Sequence, residues 1–560
     1  MNKTISFSAT SLSALLFTSL FMLAGYANGQ DSLFAFVTHR GATSLAPAAA
    51  PVTNYKFSVA NEVFTNLIRA RGDRHKAIPR FVMNNGRQYM AWMNPQAVEI
   101  GMEERIYDVC IGFGPDSLAA LAAVLAHEMT HYYENHDWSR SFVSQNEQLS
   151  ISEEIASLSE GIKLETQADY MGGMLAIAAG YDVYDLMPRF LERAYAAYGL
   201  PESIPGYPSL ADRIEVSTNT AEELKSVHAI YHTAGLLTMV GAYKPALQYY
   251  EHALNAFQSY EVYNNAGVCA LLTLLDYMKP GEFPYALPLE LDATSRLDKL
   301  ATRLPSNEEA ARAALLQKAR NYLVNATNLT EREAVAALNM SIYHLLNEEP
   351  FDAEYWSTKA QRTAIRYRQP QTSGNAQIVQ GILAAQDGRP DDAERLFTAA
   401  LPKSRAIAEL NLALVLGNRP VATTTTAGRA TSETETIQGT KLEDILTNLT
   451  DLEVNVEVDK SVFCGKKEYE DHTLFLHFAD DGERYAAFQI TKSNYRGLTA
   501  TGAGIGTTRT EIMDQYGIAD KVIATRTETC LNYARQGVIF CFDADDQLVR
   551  WIVYATKLIN

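Results

Sequence analysis

A chain of 560 residues exceeds one ordinary core and predicts three or four domains. Its 47% hydrophobic and 20% charged residues are those of a soluble globular protein, and 48 Lys+Arg against 66 Asp+Glu leave a net charge of −18. That negative field repels phosphate backbones and argues against nucleic acid as a partner.

Lys3 precedes an uncharged stretch, 12–25, rich in Leu, Phe and Ala, and the small residues Gly25, Ala27 and Gly29 close it. A basic start, a short apolar run and a small-residue end predict a secretory signal peptide over 1–29. The expected location is therefore periplasmic or secreted. The run is short for a membrane span, and no later segment reads as one, so the mature chain is expected to carry no transmembrane span. An uncleaved anchor is the alternative. The five cysteines show no CxxC spacing, which excludes a cysteine metal array. Cys530 and Cys541 lie symmetrically about Arg535-Gln536. In a two-residue hairpin they would oppose one another, and a disulfide and two free thiols are both open.

Residues 30–55, rich in Ala, Pro and Thr, read as a loose lead-in. Val59, Val63, Leu67 and Ile68 predict a helix over 59–71. Strand-like runs at 81–83 and 88–93 flank Asn84-Asn85-Gly86, a hairpin signal. Further short strands are expected at 98–100 and 105–111. Asp116 then stands as an N-cap before Leu118, Leu121 and Leu125, and this apolar helix leads directly into His127-Glu128-Met129-Thr130-His131.

On a helix His127 and His131 sit one turn apart on one face, so both imidazoles can reach one metal ion, with Glu128 beside them. Such a site needs a third protein ligand and one open position, where the metal lowers the pKa of water. Two candidates follow. Asp137 lies ten residues beyond His127, but that arrangement requires a glycine turn where this chain has Glu134. The preferred candidate is Glu165, which with Asp169 forms an i, i+4 carboxylate pair on a second helix. One of the pair would bind metal while the other holds a ligand histidine by its second nitrogen.

The His127–His131 motif, His136 five residues on, and the Glu165–Asp169 pair together resemble the M48 family of zinc metallopeptidases. The resemblance covers about 60–220. It implies Zn2+ bound by His127, His131 and Glu165, Glu128 as general base, and Asp169 behind the ligands. The family tends to carry His-Pro followed by Arg on a closing helix. This chain has Tyr207-Pro208 and Arg213 instead, so a capping histidine is not implied. Tyr207 and Arg213 are either catalytic, stabilising an oxyanion, or else packing and a structural salt bridge. The stretch 97–103 is expected as an edge strand that holds an extended peptide.

From about 221 the pattern changes. Gly241, Tyr243, Ala246, Tyr250, Ala253 and Leu254 match half a tetratricopeptide repeat. Gly381, Gly388, Ala393, Phe397, Ala400 and Leu401 repeat it, with Pro402 beyond, and Ala353, Trp356 and Ala360 form a weaker copy. A Thr-rich linker is expected over 419–440, with no apolar periodicity from 419 to 437. After it, alternation at 473–478 and 538–542, with a helix over 509–517, predicts a small strand-rich domain. Residues 502–517 faintly resemble small outer-membrane assembly lipoprotein domains.

The expected architecture is multidomain: a mostly helical α+β zincin-like domain (30–222), an all-α tetratricopeptide-repeat solenoid (223–418), and a small α+β domain (441–560). The expected function is a zinc endopeptidase acting on protein or peptide substrates, with envelope proteins as partners through the repeats. Signal, motif and repeats together resemble periplasmic outer-membrane quality-control and assembly proteases. The alternative is a repeat-containing chaperone or scaffold with a latent or structural zinc site.

Overall fold

The computed structural model describes residues 54–71, 77–87, 89–94, 96–133, 160–183, 185–203, 209–256, 259–279, 281–291, 308–329, 334–417, 435–449, 451–459, 461–479, 485–517, 519–524, 529–543 and 545–557. The expected signal peptide, Asp137, His136 and Tyr207 lie outside them. The chain divides into two compact units at Leu224/Lys225.

The first unit contains α1 (Tyr55–Arg71), β1 (Arg80–Asn84), β2 (Ala91–Asn94), β3 (Glu99–Glu103), α2 (Glu104–Ile111), α3 (Ser117–Tyr133), α4 (Glu160–Ala178) and α5 (Met187–Tyr198). It also holds the start of α6 (Leu210–Met239), inside which the unit boundary falls. The helix expected over 59–71 is α1, whose Val63 and Leu67 are buried.

The expected hairpin at Asn84-Asn85-Gly86 does not form. The sheet order is β1-β3-β2, with β1 parallel and β2 antiparallel to β3. Met102 on β3 is paired with Met83 on one side and Ala91 on the other. β3 is thus central, with both edges hydrogen-bonded, and the expectation of a peptide-holding edge strand at 97–103 is corrected. Nor is 105–111 a strand. Its buried residues Ile106, Tyr107 and Cys110 fall at helical spacing on one face, and the segment is α2.

α3 is enclosed by the core of this unit, and Ala119 to Met129 are all buried. A helix apolar all round is stable only with neighbours on every side. α1, α2, α4, α5 and strands β2 and β3 supply them. Asp116 ends a short 3-10 turn just ahead of Ser117.

The second unit carries the rest of α6, then α7 (Tyr243–Ala256), α8 (Tyr260–Asp276), α9 (Glu308–Leu329), α10 (Val335–Leu346), α11 (Pro350–Arg366), α12 (Pro370–Gln386) and α13 (Pro390–Val415). Pro350, Pro370 and Pro390 each open a helix at its first turn, where the missing N–H costs nothing. Consecutive helices pack in pairs, and alternate helices α8, α10 and α12 also touch, which makes a helical-repeat stack of the tetratricopeptide-like kind. Of the repeat residues read from sequence, Gly381 and Phe397 interlock. A Cβ at Gly381 would lie 2.5 Å from the Phe397 ring, so glycine is required for that ring to seat. Ser404 breaks α13 into two helices beyond Pro402.

The same unit contains α14 (Leu442–Thr447), α15 (Arg509–Tyr516) and an eight-stranded sheet. The strands are β4 (Val454–Asp459), β5 (Val462–Glu468), β6 (His472–Ala479), β7 (Tyr485–Thr491), β8 (Lys521–Ala524), β9 (Thr529–Tyr533), β10 (Val538–Phe542) and β11 (Leu548–Lys557), in the order β4-β5-β6-β7-β11-β10-β9-β8. The sheet packs on the helices within one apolar core. The Tyr249 hydroxyl donates to the Phe463 carbonyl at 2.8 Å, and His252 meets the Val458 carbonyl at 3.0 Å. A capping box at Thr508 and Glu511 starts α15.

The linker expected over 419–440 ends earlier than predicted. Glu435 and Ile437 are already buried, and the Glu435 carboxylate accepts from the Tyr516 hydroxyl and the Ala500 N–H. Those bonds offset the cost of burying a charge. Cys530 and Cys541 are directly opposed in the β9–β10 pair and form a disulfide. The turn between them holds four residues rather than two, because pairing ends at Tyr533 and Val538.

Candidate metal centre

The motif helix α3 brings His127 and His131 together as the spacing requires. Their Nε2 atoms are 3.2 Å apart and the rings meet edge to face. Both side chains are buried, as is Glu128. Thr130, between them, returns its hydroxyl to the Ala126 carbonyl at 2.9 Å, which satisfies a polar group inside a buried helix.

Asp169 on α4 supplies the support. Its Oδ1 lies 2.8 Å from His127 Nδ1, and the Arg213 guanidinium on α6 lies 3.1 and 3.2 Å from its two oxygens. Arg213 and Asp169 are almost wholly inaccessible, at 1% and 3% of their side-chain surface. Burial pushes the Asp169 carboxyl up, but the Arg213 charge and the His127 hydrogen bond outweigh it and hold the pKa at about 2. Asp169 is therefore a carboxylate, and it accepts a hydrogen bond from His127 Nδ1–H. That fixes the tautomer and turns the Nε2 lone pair towards His131.

The close approach of α4 to α3 depends on Gly172. A Cβ there would lie 2.8 Å from the His127 backbone nitrogen and 3.0 Å from its Cα. No side chain can swing away from a backbone clash, so only glycine lets Asp169, one turn earlier, reach Nδ1. The signal in the sequence is the Gly172-Gly173 pair, to which motif spacing gives no weight.

These residues fit a zinc ion. Two nitrogens each about 2.0–2.1 Å from one tetrahedral ion stand about 3.3 Å apart. The two Nε2 atoms, at 3.2 Å, already have that separation before any ion draws them together. The buried carboxylate behind His127 is the usual support for a metal-bound imidazole.

Of the remaining expected residues, Glu165 lies on α4 one turn before Asp169, but its side chain is outside the described ones. Tyr207 and Asp137 are outside the described residues altogether. Arg213, expected either to stabilise an oxyanion or to form a structural salt bridge, turns its guanidinium to Asp169 in the interior. A second His–carboxylate group among the described residues, His344, Glu349 and Asp352, joins the end of α10 to the start of α11. There Glu349 draws its lowered pKa first from its bond to His344.

No protein-family model matches the chain, and no curated protein matches it. Among solved structures, a thermophilic TPR protein of Thermus thermophilus is similar over 45% of this chain and 98% of its own. The identity is 15% and the TM-score 0.25, a likeness too slight to argue from. Neither comparison supports the M48 resemblance, which rests on its motif residues alone. Among the described residues, no helix is long and apolar enough to cross a membrane.

Proposed function

We propose that this protein is a zinc-dependent endopeptidase of the M48 kind, exported to the periplasm or beyond, and that His127, His131 and Glu165 hold the metal. The observation that carries the reading is the buried His127–His131 pair, with Nε2 atoms 3.2 Å apart and His127 Nδ1 anchored on Asp169.

When bound, zinc supplies a Lewis acid that acidifies water and polarises a carbonyl. Every other part falls to the chain. Asp169 holds the Nδ1 proton of His127, so that Nε2 presents a lone pair, and Arg213 keeps Asp169 charged. The Glu128 carboxylate follows His127 directly on α3, takes a proton from the attacking water and returns it to the leaving amine. The apolar burial of α3 excludes bulk water from these groups. The repeats would recruit protein substrates.

The experiment is a zinc titration with a peptide-library cleavage assay on wild type and Glu128→Gln. The reading expects about one zinc per chain, chelator-sensitive cleavage, and loss of cleavage in the variant with zinc retained. Cleavage that survives in Glu128→Gln would end it. Zinc binding without cleavage in the wild type would favour the scaffold reading, in which the repeats do the work.

A further inference from the structure

The helical repeats of the second unit carry an asparagine ladder that the repeat pattern does not announce. Asn339 on α10, Asn375 on α12 and Asn411 on the second half of α13 are buried and recur at 36-residue intervals. Along them runs the chain's own segment 286–291, Ala286-Leu287-Pro288-Leu289-Glu290-Leu291. Asn339 accepts the Glu290 N–H at Oδ1 (3.0 Å) and donates from Nδ2 to the Glu290 carbonyl (2.6 Å). Asn411 grips Ala286 in the same way, at 3.0 and 2.9 Å. Asn264 on α8 adds a second donor to the Glu290 carbonyl at 3.1 Å. A carboxamide that satisfies both backbone groups of one residue recognises extended main chain whatever its side chain.

Extended backbone presents every second residue to the same side, so residue 288 is the one that falls between the two gripped residues, at the Asn375 rung. Residue 288 is proline and has no N–H to give. The middle rung shows the consequence. Asn375 donates from Nδ2 to the Glu290 carboxylate, which Thr372 also meets at 2.9 Å, while its Oδ1 is buried with no hydrogen-bond partner. The orientation of that amide is fixed, because the reverse would set oxygen against a carboxylate.

We propose that this face of the repeats is a peptide-binding groove, and that segment 286–291 is a tethered and imperfect ligand for it. The groove takes an extended segment of a partner protein with the pattern small–Leu–X–Leu–Glu–Leu. X is any residue but proline, because its N–H fills the acceptor that Pro288 leaves open. The alternating leucines match the buried Leu287, Leu289 and Leu291, and the acidic residue matches Thr372 and Asn375. The proposal does not depend on the peptidase reading, because its test measures binding alone.

The test uses the full chain and two fluorescent peptides, one spanning 284–291 and one with Pro288→Ala, read by anisotropy. The tethered segment competes at an effective concentration on the order of millimolar, so the native peptide binds only in that range. The Pro288→Ala peptide is expected to bind at least about fivefold tighter, since it satisfies a buried acceptor. In the Asn375→Ala protein the ratio between the two peptides falls to about one. A second measurement needs no variant: the Glu290 amide exchanges hydrogen in a local opening, faster than the core amides of α10 and α12. Equal affinity for both peptides, no binding at millimolar concentration, or a Glu290 amide that exchanges only with those helices would each overturn the proposal.

Discussion

Replacing Arg213 with leucine tests the support of the metal centre most directly. Arg213 and Asp169 are an almost fully buried pair with two contacts, at 3.1 and 3.2 Å, and Asp169 in turn holds His127. Removing the guanidinium leaves a carboxylate in the interior without its counter-charge, a change that costs about 3–5 kcal/mol. In a unit of roughly 150–250 residues each kcal/mol moves Tm by about 2–4 °C, so thermal denaturation followed by circular dichroism should shift down by about 6–20 °C. The same change weakens the hold on Nδ1, and zinc affinity, measured by competition with a chromophoric chelator, should fall about 10–100-fold. The double variant Asp169→Asn/Arg213→Leu removes both charges but keeps an oxygen for Nδ1–H. It should be more stable than Arg213→Leu alone, with a coupling above about 1 kcal/mol. Arg213→Leu within about 1 kcal/mol of wild type, with unchanged zinc affinity, would refute the reasoning.

Other consequences follow from the packing. Gly172→Ala must push α4 off the His127 backbone, which should cost about 1–3 kcal/mol and weaken zinc binding with no metal ligand changed; wild-type zinc affinity would show that the close approach is not needed. His228 and His232 lie one turn apart on α6, and His232 stacks on Phe475 of the sheet. Burial first lowers both imidazoles; Lys466 then lowers His228, to about 4 with Glu468 opposing, and His228, Arg550 and Lys466 lower His232. Both are therefore neutral when folded, and the unfolded chain binds more protons below about pH 6.5. Stability of the second unit should be complete above that pH and fall by about 3 kcal/mol for His228 alone as pH drops to about 4. Urea midpoints that stay flat over this window in wild type would contradict it. Replacing Cys530 and Cys541 together by alanine should cost about 3 kcal/mol, since the bond closes a short loop between adjacent strands, and differential scanning calorimetry reads the loss.

What the sequence determined is what local periodicity can encode. Two histidines four apart on an apolar helix must share a face, so the His127–His131 pair was legible from its spacing alone. The glycine and aromatic positions of the repeats were legible for the same reason, because the helix pairing that seats Phe397 against Gly381 spans only 16 residues. The cysteine pair was also readable, although the turn between its strands was misjudged, since a four-residue and a two-residue turn centred on the same point preserve one register. Only the tertiary structure decided that β3 is central and not an edge, because strand order depends on which apolar faces meet across the sheet. Folding alone chose His127 as the histidine that Asp169 holds and paired Arg213 with Asp169, partners 42 and 44 residues apart. It also revealed the asparagine ladder, in which each residue looks ordinary on its own helix. A polar side chain acquires its role from what the folded interior leaves beside it, and that neighbour lies far along the chain.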